Sequence, residues 1–462
     1  MKELAFLLIL VLLSGCAVGP NYRRPAVDVP TDYRAAMPVP AAPASSLGNE
    51  KWWDVFQDPV LVELIHTALR QNYDVRIAAT RVLEAQDQLG ITRANQFPSA
   101  AVGAGLSSEQ NPKVTNLFPP YQVNEGQLSL SVIWNLDFWG KYRRQTEAAR
   151  AQLLATEWGQ RGVISSLVSN VATAYFQLRA LDSQMDIAQR TLASRQQSLQ
   201  LTQVLARNGS SSDLDVSQSE QLVYTASETI PDLERQIEQQ ENQLSILLGE
   251  NPGPIARGRT LTEQPVPEAV PAGLPSELLE RRPDVHEAEE IIVAANAQIG
   301  VAKAAFLPSI SLTGTGGLES NGLNSFIKAS SESWLAAFSV AQPVFEGGAL
   351  RSQLKLTRAQ YQEAVLAYQQ TLQNAFEQVS NGLIAYQKYR DFRGQQELLT
   401  QAAQRSDQLS SVLYQNGGAS YLQVLTNETN YFSAELNLVD AQLNERLALV
   451  QLYQSLGGGW QQ

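Results

Sequence analysis

Residues 127–138 form the stretch that decides the fold class, Gln-Leu-Ser-Leu-Ser-Val-Ile-Trp-Asn-Leu-Asp-Phe. Every even-numbered residue in it is apolar, and every odd-numbered residue except Ile133 is polar. Because successive side chains of a β-strand point to opposite faces, this stretch is predicted to be a strand with one apolar face. Alternating strands of about ten residues with aromatic ends are typical of transmembrane β-barrels, although strands of soluble β-sandwiches alternate equally well.

The chain around this strand is duplicated. Motifs of the first half recur 210 residues later as Asp284-Val285, Gly300 and Leu307-Pro308-Ser309, and others recur 208 residues later as Ala359-Gln360, Asn416-Gly417 and Leu456-Gly457. Each half is predicted to contain a helix, two strands, a very long helix, a turn and another long helix. The predicted spans are 58–96, 100–110, 125–138, 140–206 and 213–248, then 284–306, 309–319, 333–345, 347–414 and 421–456.

The long helices have a coiled-coil pattern. Apolar residues advance by alternating steps of three and four at Ile164, Leu167, Val171, Ala174, Leu178, Leu181, Met185, Ala188 and Leu192, and again at Leu372, Phe376, Val379, Leu383 and Tyr386. This period of 3.5 residues keeps one seam of a helix against its neighbour. A helix of about 65 residues is about 100 Å long, which fits a tube or a rod better than a globular core.

The N-terminus predicts export and a lipid anchor. A charged start is followed by the apolar run from Leu4 to Leu13, which suits a secretory signal peptide and is too short to span a bilayer. The sequence Leu13-Ser14-Gly15-Cys16 resembles a bacterial lipobox, so Cys16 is predicted to carry a lipid such as palmitate and to become the first residue. The alternative is a chance cysteine after an ordinary signal peptide. Ala17, in place of aspartate, favours transport to the outer membrane.

Export and rod-length helices favour the transmembrane interpretation of the strands. No later segment has about 20 uninterrupted apolar residues, so the mature chain could cross a membrane only as β-strands. Four strands cannot close a barrel, because the smallest barrels have about eight and open edges are not tolerated in lipid. The chain is therefore expected to assemble with copies of itself.

These features divide the chain into six predicted segments. They are a lipoprotein signal peptide (1–15), a lipidated extended arm (16–57), a first repeat (58–249), a linker (250–274), a second repeat (275–457) and a C-terminal tail (458–462).

Composition and missing motifs argue against other functions. The net charge of -12 disfavours nucleic acid as a partner. His66 and His286 have no second ligand at metal spacing, so both are predicted to be surface residues of helices. Gly140-Lys141 lacks the remainder of a phosphate-binding loop, and no nucleophile elbow occurs. The chain is predicted not to be an enzyme and to bind no metal and no cofactor other than the lipid on Cys16.

Several motifs follow one another in a fixed order along residues 13–460. They are the lipobox, Gly19-Pro20-Asn21-Tyr22, Trp52-Trp53, Asp58-Pro59, Phe97-Pro98-Ser99, Leu307-Pro308-Ser309, Tyr421-Leu422 and the closing Leu456-Gly457-Gly458-Gly459-Trp460. In this order they resemble the TolC-like outer-membrane factor family, and within it the lipoproteins of RND-type efflux pumps. The resemblance implies a mainly α-helical fold with a small antiparallel β part, a homotrimer whose 12-stranded outer-membrane barrel continues into a long periplasmic α-barrel, and two partners. These are a periplasmic adaptor and an inner-membrane RND-type transporter.

The resemblance also implies a constricted mouth at the helix-hairpin tips, where the adaptor binds. The tip residues are Asn208, Gly209, Asn416 and Gly417. Tyr414 and Leu422 match positions that close the mouth in relatives, and Asp213, Asp215 and Glu428 lie near it. Rings of three such carboxylates would favour cations, whereas Asp213 and Asp215 could instead cap a helix. Relatives often carry aspartate where this chain has Thr426, which puts an aperture network at that position in doubt.

The predicted function is a passive exit duct for drugs or other small toxic compounds, with multidrug resistance as its consequence. One alternative is the exit channel of a type I protein secretion system. Another is a lipid-anchored periplasmic coiled-coil scaffold, which would have no bilayer-crossing strands. The sequence does not identify the substrate. It also leaves open whether the mouth is closed by charged or by apolar residues.

Overall fold

The structure, a computed structural model, describes residues 17–34, 46–110, 122–267, 270–321 and 326–461. The predicted signal peptide, Cys16 and residues 35–45 of the predicted arm lie outside them. In chain order the elements are α1 (Trp52–Val55), α2 (Pro59–Gln71), α3 (Tyr73–Ala94), β1 (Ser99–Gln110), β2 (Gln122–Leu136), α4 (Lys141–Arg207), α5 (Asp213–Leu248), α6 (Pro275–Arg281), α7 (Pro283–Ala304), β3 (Ser309–Ser320), β4 (Glu332–Ala341), α8 (Ala349–Gln415) and α9 (Tyr421–Ser455).

The first predicted helix, 58–96, is in fact two helices, because Asn72 interrupts it. The Asn72 side-chain oxygen accepts hydrogen bonds from the backbone N–H groups of Asp74 (2.8 Å) and Val75 (3.3 Å), as an N-cap does. Its amide donates to the Leu247 carbonyl at 2.9 Å, which fixes the break against α5. The second repeat breaks in the corresponding place, before Pro283, which has no backbone N–H to continue a helix.

The other predicted elements are confirmed, but β2 begins at Gln122 rather than 125, and two strands end earlier than predicted. β2 ends at Leu136 rather than 138, because both carboxylate oxygens of Asp137 accept from backbone N–H groups at the start of α4. β4 ends at Ala341 rather than 345, two residues before Pro343, which cannot donate to a strand ladder. The helices α4 and α8 each have 67 residues. None of the described helices has an apolar stretch long enough to cross a membrane.

The four strands form one antiparallel sheet in the order β1-β2-β3-β4. The two repeats meet between β2 and β3, where Leu128 pairs with Leu318 and Trp134 with Leu312. This register places large apolar side chains of all four strands on one face, where they are 37–88% exposed: Val102, Leu106, Leu130, Trp134, Leu312, Trp334 and Phe338. β1 and β4 each pair with one strand, so within the described residues their outer edges have no strand partner.

The chain divides into two compact units. The strand unit comprises Met1–Ala26, Arg81–Glu157 and Glu287–Gln369, and the helical unit comprises Val27–Thr80, Trp158–His286 and Gln370–Gln462. The helical unit has a core of aromatic and aliphatic side chains drawn from α1, α2, both long hairpins and the linker, including Trp52, Ile65, Tyr175, Leu244, Leu261 and Leu452.

Asp58 joins three parts of the helical unit although it carries a charge and is fully buried. One carboxylate oxygen accepts from the backbone N–H of Val60 at 3.0 Å and caps α2. The other accepts from the Tyr175 hydroxyl (2.8 Å), the Gln264 amide (2.6 Å) and the backbone N–H of Arg259 (3.0 Å). These bonds hold the linker between the repeats against α2 and α4.

The two histidines lie on helices, as predicted, but their side chains are half-buried rather than fully exposed. Both are partly buried against tryptophan rings. The His66 ring lies 4.8 Å from Trp52, and the His286 ring stacks on Trp158 at 4.1 Å and 13°. Tryptophan offers a large apolar face to a neutral or cationic ring, so both histidines act as packing residues.

Candidate functional site

The two helix-hairpin tips share one turn geometry. Gly209 and Gly417, which follow the ends of α4 and α8, have φ values of 73° and 75°. Neither has any atom within 4 Å of the place where a Cβ would stand, so glycine is needed for its backbone angle and not for space. The side-chain amides of Asn208 and Asn416 each donate to a carbonyl four residues earlier at 2.8 Å. The duplicated Asn-Gly sequence therefore encodes the same chain reversal twice.

The tips differ in how the next helix begins. At α5, the Ser212 hydroxyl accepts from the Asp215 backbone N–H, and the Asp215 carboxylate accepts from the Ser212 N–H at 2.9 Å, which makes a capping box. The backbone hydrogen bond from Ser212 is the main reason why the pKa of Asp215 is lowered. At α9, Ser420 occupies the same position and makes no side-chain cap. The first tip is therefore the better fixed of the two.

Of the two acidic residues predicted at the first tip, only Asp215 caps the helix. Asp213 stands in the first turn of α5 and is exposed, and its side chain makes no hydrogen bond or ion pair with the described residues. A carboxylate in that turn still interacts favourably with the positive end of the helix dipole.

Tyr421, the first residue of α9, joins the two hairpins. It is 7% exposed and forms a small apolar cluster with Val424 and Leu425, against which Leu222 of α5 and Tyr414 of α8 pack. The Tyr414 and Tyr421 ring centroids lie 5.2 Å apart. The Tyr421 hydroxyl is hydrogen-bonded to the hydroxyl of Ser219 on α5. Tyr414 thus packs against Tyr421, a residue that the sequence analysis did not assign to the site.

Leu422 points away from this cluster. The Leu422 side chain is 62% exposed, and the neighbouring Thr426 is exposed as well. The Thr426 hydroxyl donates a hydrogen bond to the Leu422 carbonyl at 2.8 Å. An exposed leucine beside a tip is available for contact with another chain. The Thr426 hydroxyl is occupied by its own helix and makes no other contact with the described residues.

Glu428 lines a cavity of about 210 Å³ between α4, α8 and α9. The other charged residues around it are Arg190, Arg195, Asp407 and Glu435. Ser198 donates to Glu428 at 3.4 Å. Burial raises the pKa of Glu428, the Asp407 carboxylate adds to this, and Arg195 opposes it.

Arg195 is the most buried of these charges, at 3% exposed, and it donates to the Leu222 carbonyl at 2.9 Å. Burial lowers its pKa. For Asp407, burial and the nearby Glu435 carboxylate raise the pKa. The Arg195 guanidinium of α4 is therefore bonded to an α5 carbonyl and interacts with the Glu428 carboxylate of α9.

The structure places the predicted gate residues in separate environments. Tyr414 lies in the Tyr421 cluster, Asp215 in a local cap and Glu428 in the charged cavity, and no contact joins these three within the described part of the chain. Arg195 and Asp407 were missed, although both continue the coiled-coil steps of three and four. A charge on such a seam was the available sequence signal.

Residues 64–250 and 274–458 match the family described as outer membrane efflux protein. The chain belongs to this family. It is 35% identical over 451 residues to the cation efflux system protein CusC of Escherichia coli, with 97% of each chain covered. It is 34% identical over 458 residues to the solvent efflux pump outer membrane protein SrpC of Pseudomonas putida, with 98% of this chain and 97% of the relative covered. The solved open state of the MtrE outer membrane channel of Neisseria gonorrhoeae superposes with a TM-score of 0.87 at 30% identity, covering 96% and 99% of the two chains.

Membership of the outer membrane efflux protein family confirms three predictions. They are the duplicated, mainly helical fold class with a small antiparallel sheet, the function as an efflux channel that serves as the exit duct of a tripartite pump, and the location in the cell outer membrane with extension into the periplasm. The family consists of transport proteins. Among the described residues, no group of His, Cys, Asp and Glu side chains could hold a metal ion.

Proposed function

We propose that three copies of this chain form one exit duct, with four strands from each copy closing a 12-stranded barrel in the outer membrane. The observation that carries this proposal is the sheet, which combines an exposed apolar face with two unpaired edges. Unpaired backbone groups are costly in lipid, and a barrel removes them by closure. Four strands are too few for closure within one chain. The long helices of each copy would continue the duct into the periplasm.

The partners in this proposal are a periplasmic adaptor and an inner-membrane RND-type transporter. The adaptor would contact the tips at Asn208, Gly209, Asn416 and Gly417, where the space around both glycines is open. Energy would come from the transporter, so the chain would act without catalysis and without a cofactor. Relatives of equal similarity are named for cations and for solvents. We therefore assign small toxic compounds as the cargo and place the choice among them in the transporter.

The periplasmic mouth is proposed to be gated at Tyr414 and Leu422, with carboxylates at Asp213, Asp215 and Glu428 favouring cations. Leu422 supports an apolar closure because it is exposed at the tip. Asp213 supports a charged ring because its carboxylate is exposed and has no described partner. The bonded Asp215 and the enclosed Glu428 would act through the shape of the hairpins rather than through direct contact with cargo.

A lipid on Cys16 would hold the arm at the membrane. The residues that follow support this, because Val18 donates its backbone N–H to the Trp139 carbonyl at 3.0 Å, just past the end of β2. A Cβ at Gly140 would come within 2.8 Å of Ala17. The arm thus starts at the strand-helix junction. The proposed division into signal peptide, arm, two repeats, linker and tail keeps the boundaries predicted above.

The test is intermolecular crosslinking. Cysteine pairs placed along β1 and β4, such as Gly103→Cys with Ala337→Cys and the neighbouring registers, should give a ladder ending at a covalent trimer in outer membranes. Pairs of one strand with itself provide the control, because like edges do not meet in a closed ring. Purified trimers should conduct ions in a planar bilayer. A chain that stays monomeric and non-conducting in mild detergent would exclude the duct.

A further inference from the structure

Both long helices of the strand unit begin with cations. The first ten residues of α4 contain four basic side chains and one acidic one, and the first ten of α8 contain three basic side chains and no acidic one. The chain as a whole has a net charge of -12. Moreover, the amino end of a helix carries the positive end of its dipole, which disfavours cations. Helix stability therefore does not explain this placement.

The cations lie directly beyond the strands. α4 starts five residues after β2 ends, and α8 starts eight residues after β4 ends. Two tryptophans mark the junction: the Trp134 indole donates to the Gln96 carbonyl at 3.1 Å, and the Trp139 indole donates to the Pro308 carbonyl at 2.8 Å. Tryptophan is enriched where a membrane meets water. Ten helical residues span about 15 Å, so with the sheet in the outer membrane as proposed above, the cations would lie at the depth of the lipid headgroups.

We define the basic band as one cation near the end of α3 together with five cations at the starts of α4 and α8, namely Arg93, Arg143, Arg150, Arg351, Lys355 and Arg358. The first three line one groove of about 520 Å³ between α3 and α4. A Cβ at Gly90, in the same groove, would meet no atom within 4 Å, so the groove is open there. The last three follow the spacing i, i+4, i+7 and therefore share one face of α8.

The cations of the basic band other than Arg143 differ from ordinary ion-paired residues, and the band is partly duplicated between the two repeats. Arg351, Lys355 and Arg358 stand 208 residues after Arg143, Glu147 and Arg150, so the second copy keeps the cations and has lysine where the first has glutamate. Arg143 pairs with Asp137 at 3.3 Å. The other five cations have no ion pair, hydrogen bond or ring contact within the described ranges, and all of them are exposed.

We propose that the basic band binds the phosphate of anionic phospholipid headgroups in the inner leaflet of the outer membrane. The proposal rests on the proposed placement of the sheet in that membrane. Guanidinium groups bind phosphate through paired, charge-assisted hydrogen bonds, and basic pockets at a membrane surface recognise anionic headgroups. At α4 the positive helix end already holds the Asp137 carboxylate, but the positive end of α8, which disfavours its cations, also attracts the phosphate. A bound lipid phosphate would thus reduce the electrostatic repulsion between the cations and the positive end of the helix.

The test uses the trimer in vesicles of phosphatidylethanolamine and phosphatidylglycerol, and native mass spectrometry counts the lipids kept after release. The triple variant Arg351→Gln, Lys355→Gln, Arg358→Gln should keep at least about fivefold less phosphatidylglycerol, since one cation near an anionic surface is worth roughly that factor. The control neutralises three cations of the helical unit, Arg259→Gln, Lys388→Gln and Arg405→Gln, and should keep as much as the wild type. The pair Arg351→Lys, Arg358→Lys preserves the charge and should largely keep the preference.

Two results would overturn the proposal. The first is equal retention of phosphatidylglycerol by the triple variant and the wild type. The second is its displacement from the wild type by inorganic phosphate at matched ionic strength, which would indicate a site for free anions. Ion conductance measured on the same samples separates this question from the duct. If the wild-type trimers conduct ions but show no preference for phosphatidylglycerol, only the proposal for the basic band is refuted. If the wild-type protein does not conduct ions, the proposed function is refuted.

Discussion

Replacing Asp58 by alanine should release the linker between the two repeats. The wild-type carboxylate is fully buried and accepts four hydrogen bonds, two from backbone N–H groups and two from side chains. Alanine leaves all four donors without this acceptor. The side chains of Tyr175 and Gln264 can turn toward other partners, but the backbone N–H groups of Val60 and Arg259 cannot. The expected penalty therefore comes mainly from these two.

Each lost hydrogen bond to a charged acceptor costs about 1.5 kcal/mol at the low end, so the two backbone donors give about 3 kcal/mol. This figure agrees with the cost of removing one partner from a buried charged pair. Because every 1.4 kcal/mol is a factor of ten, the open state of the linker should become about 100 times more populated. The Asp58→Ala chain should still fold, since most of the core does not touch this site.

Limited proteolysis measures this opening. Trypsin cuts after Arg257 and Arg259, next to the backbone N–H that Asp58 holds, and cleavage of a transiently open segment follows the population of the open state. We expect cleavage there to be about 100 times faster in Asp58→Ala. Asp54→Ala, which removes an exposed aspartate four residues away, should stay close to the wild-type rate. Cleavage of Asp58→Ala within about threefold of wild type would refute the reasoning.

The same contact should depend on pH. Burial raises the pKa of Asp58, but the hydrogen bonds from Gln264 and Tyr175 and from two backbone groups outweigh it, and the net pKa is lowered. A lowered folded-state pKa contributes stability that is present above the unfolded value of about 3.9 and is lost as the pH falls through the folded value. The difference in the population of the open linker between wild type and Asp58→Ala should therefore be complete at neutral pH and shrink in acid, where hydrogen exchange of the Arg259 backbone N–H measures it.

Three further outcomes are expected. Gly417→Ala places an alanine at a φ of 75° and should destabilise the second tip by about 1–2 kcal/mol, which would be measured as faster hydrogen exchange at that tip. The control Gly90→Ala changes an open helical position and should not make exchange faster. Gln423→Asp should give α9 the capping box that α5 has and slow exchange at the second tip by a factor that corresponds to about 1 kcal/mol. The pKa of Glu428 is raised, so the folding stability should decline as the pH rises through that pKa. Thermal melts at about pH 5 and about pH 8 should show this decline in the wild type and not in Glu428→Gln. Glu220→Gln, which changes the counterpart residue of the first repeat, should keep the decline. Unchanged exchange in either tip variant, or a decline that persists in Glu428→Gln, would contradict these expectations.

The candidate site shows where sequence reasoning stops. The turn residues at both tips were predictable, because an Asn-Gly reversal depends on the backbone angle of one glycine. The roles of Asp213 and Asp215 were not, because which carboxylate caps a helix depends on where the helix begins to within one residue. Tyr421, Arg195 and Asp407 were missed for a different reason. Their partners are on other helices, and spacing along one helix does not identify them.

The sequence by itself determined the duplication, the alternating strands, the rod-length helices and the family. All of these are periodic or ordered along the chain, so local rules are enough to detect them. Only the tertiary structure decided that Asn72 divides a helix, that β2 pairs with β3 across the repeats, that Asp58 holds the linker and that both histidines pack against tryptophans. Asn72 meets its partner 175 residues away and Asp58 meets one 206 residues away. Contacts of that range arise from the packing of whole helices, which no short window of sequence contains.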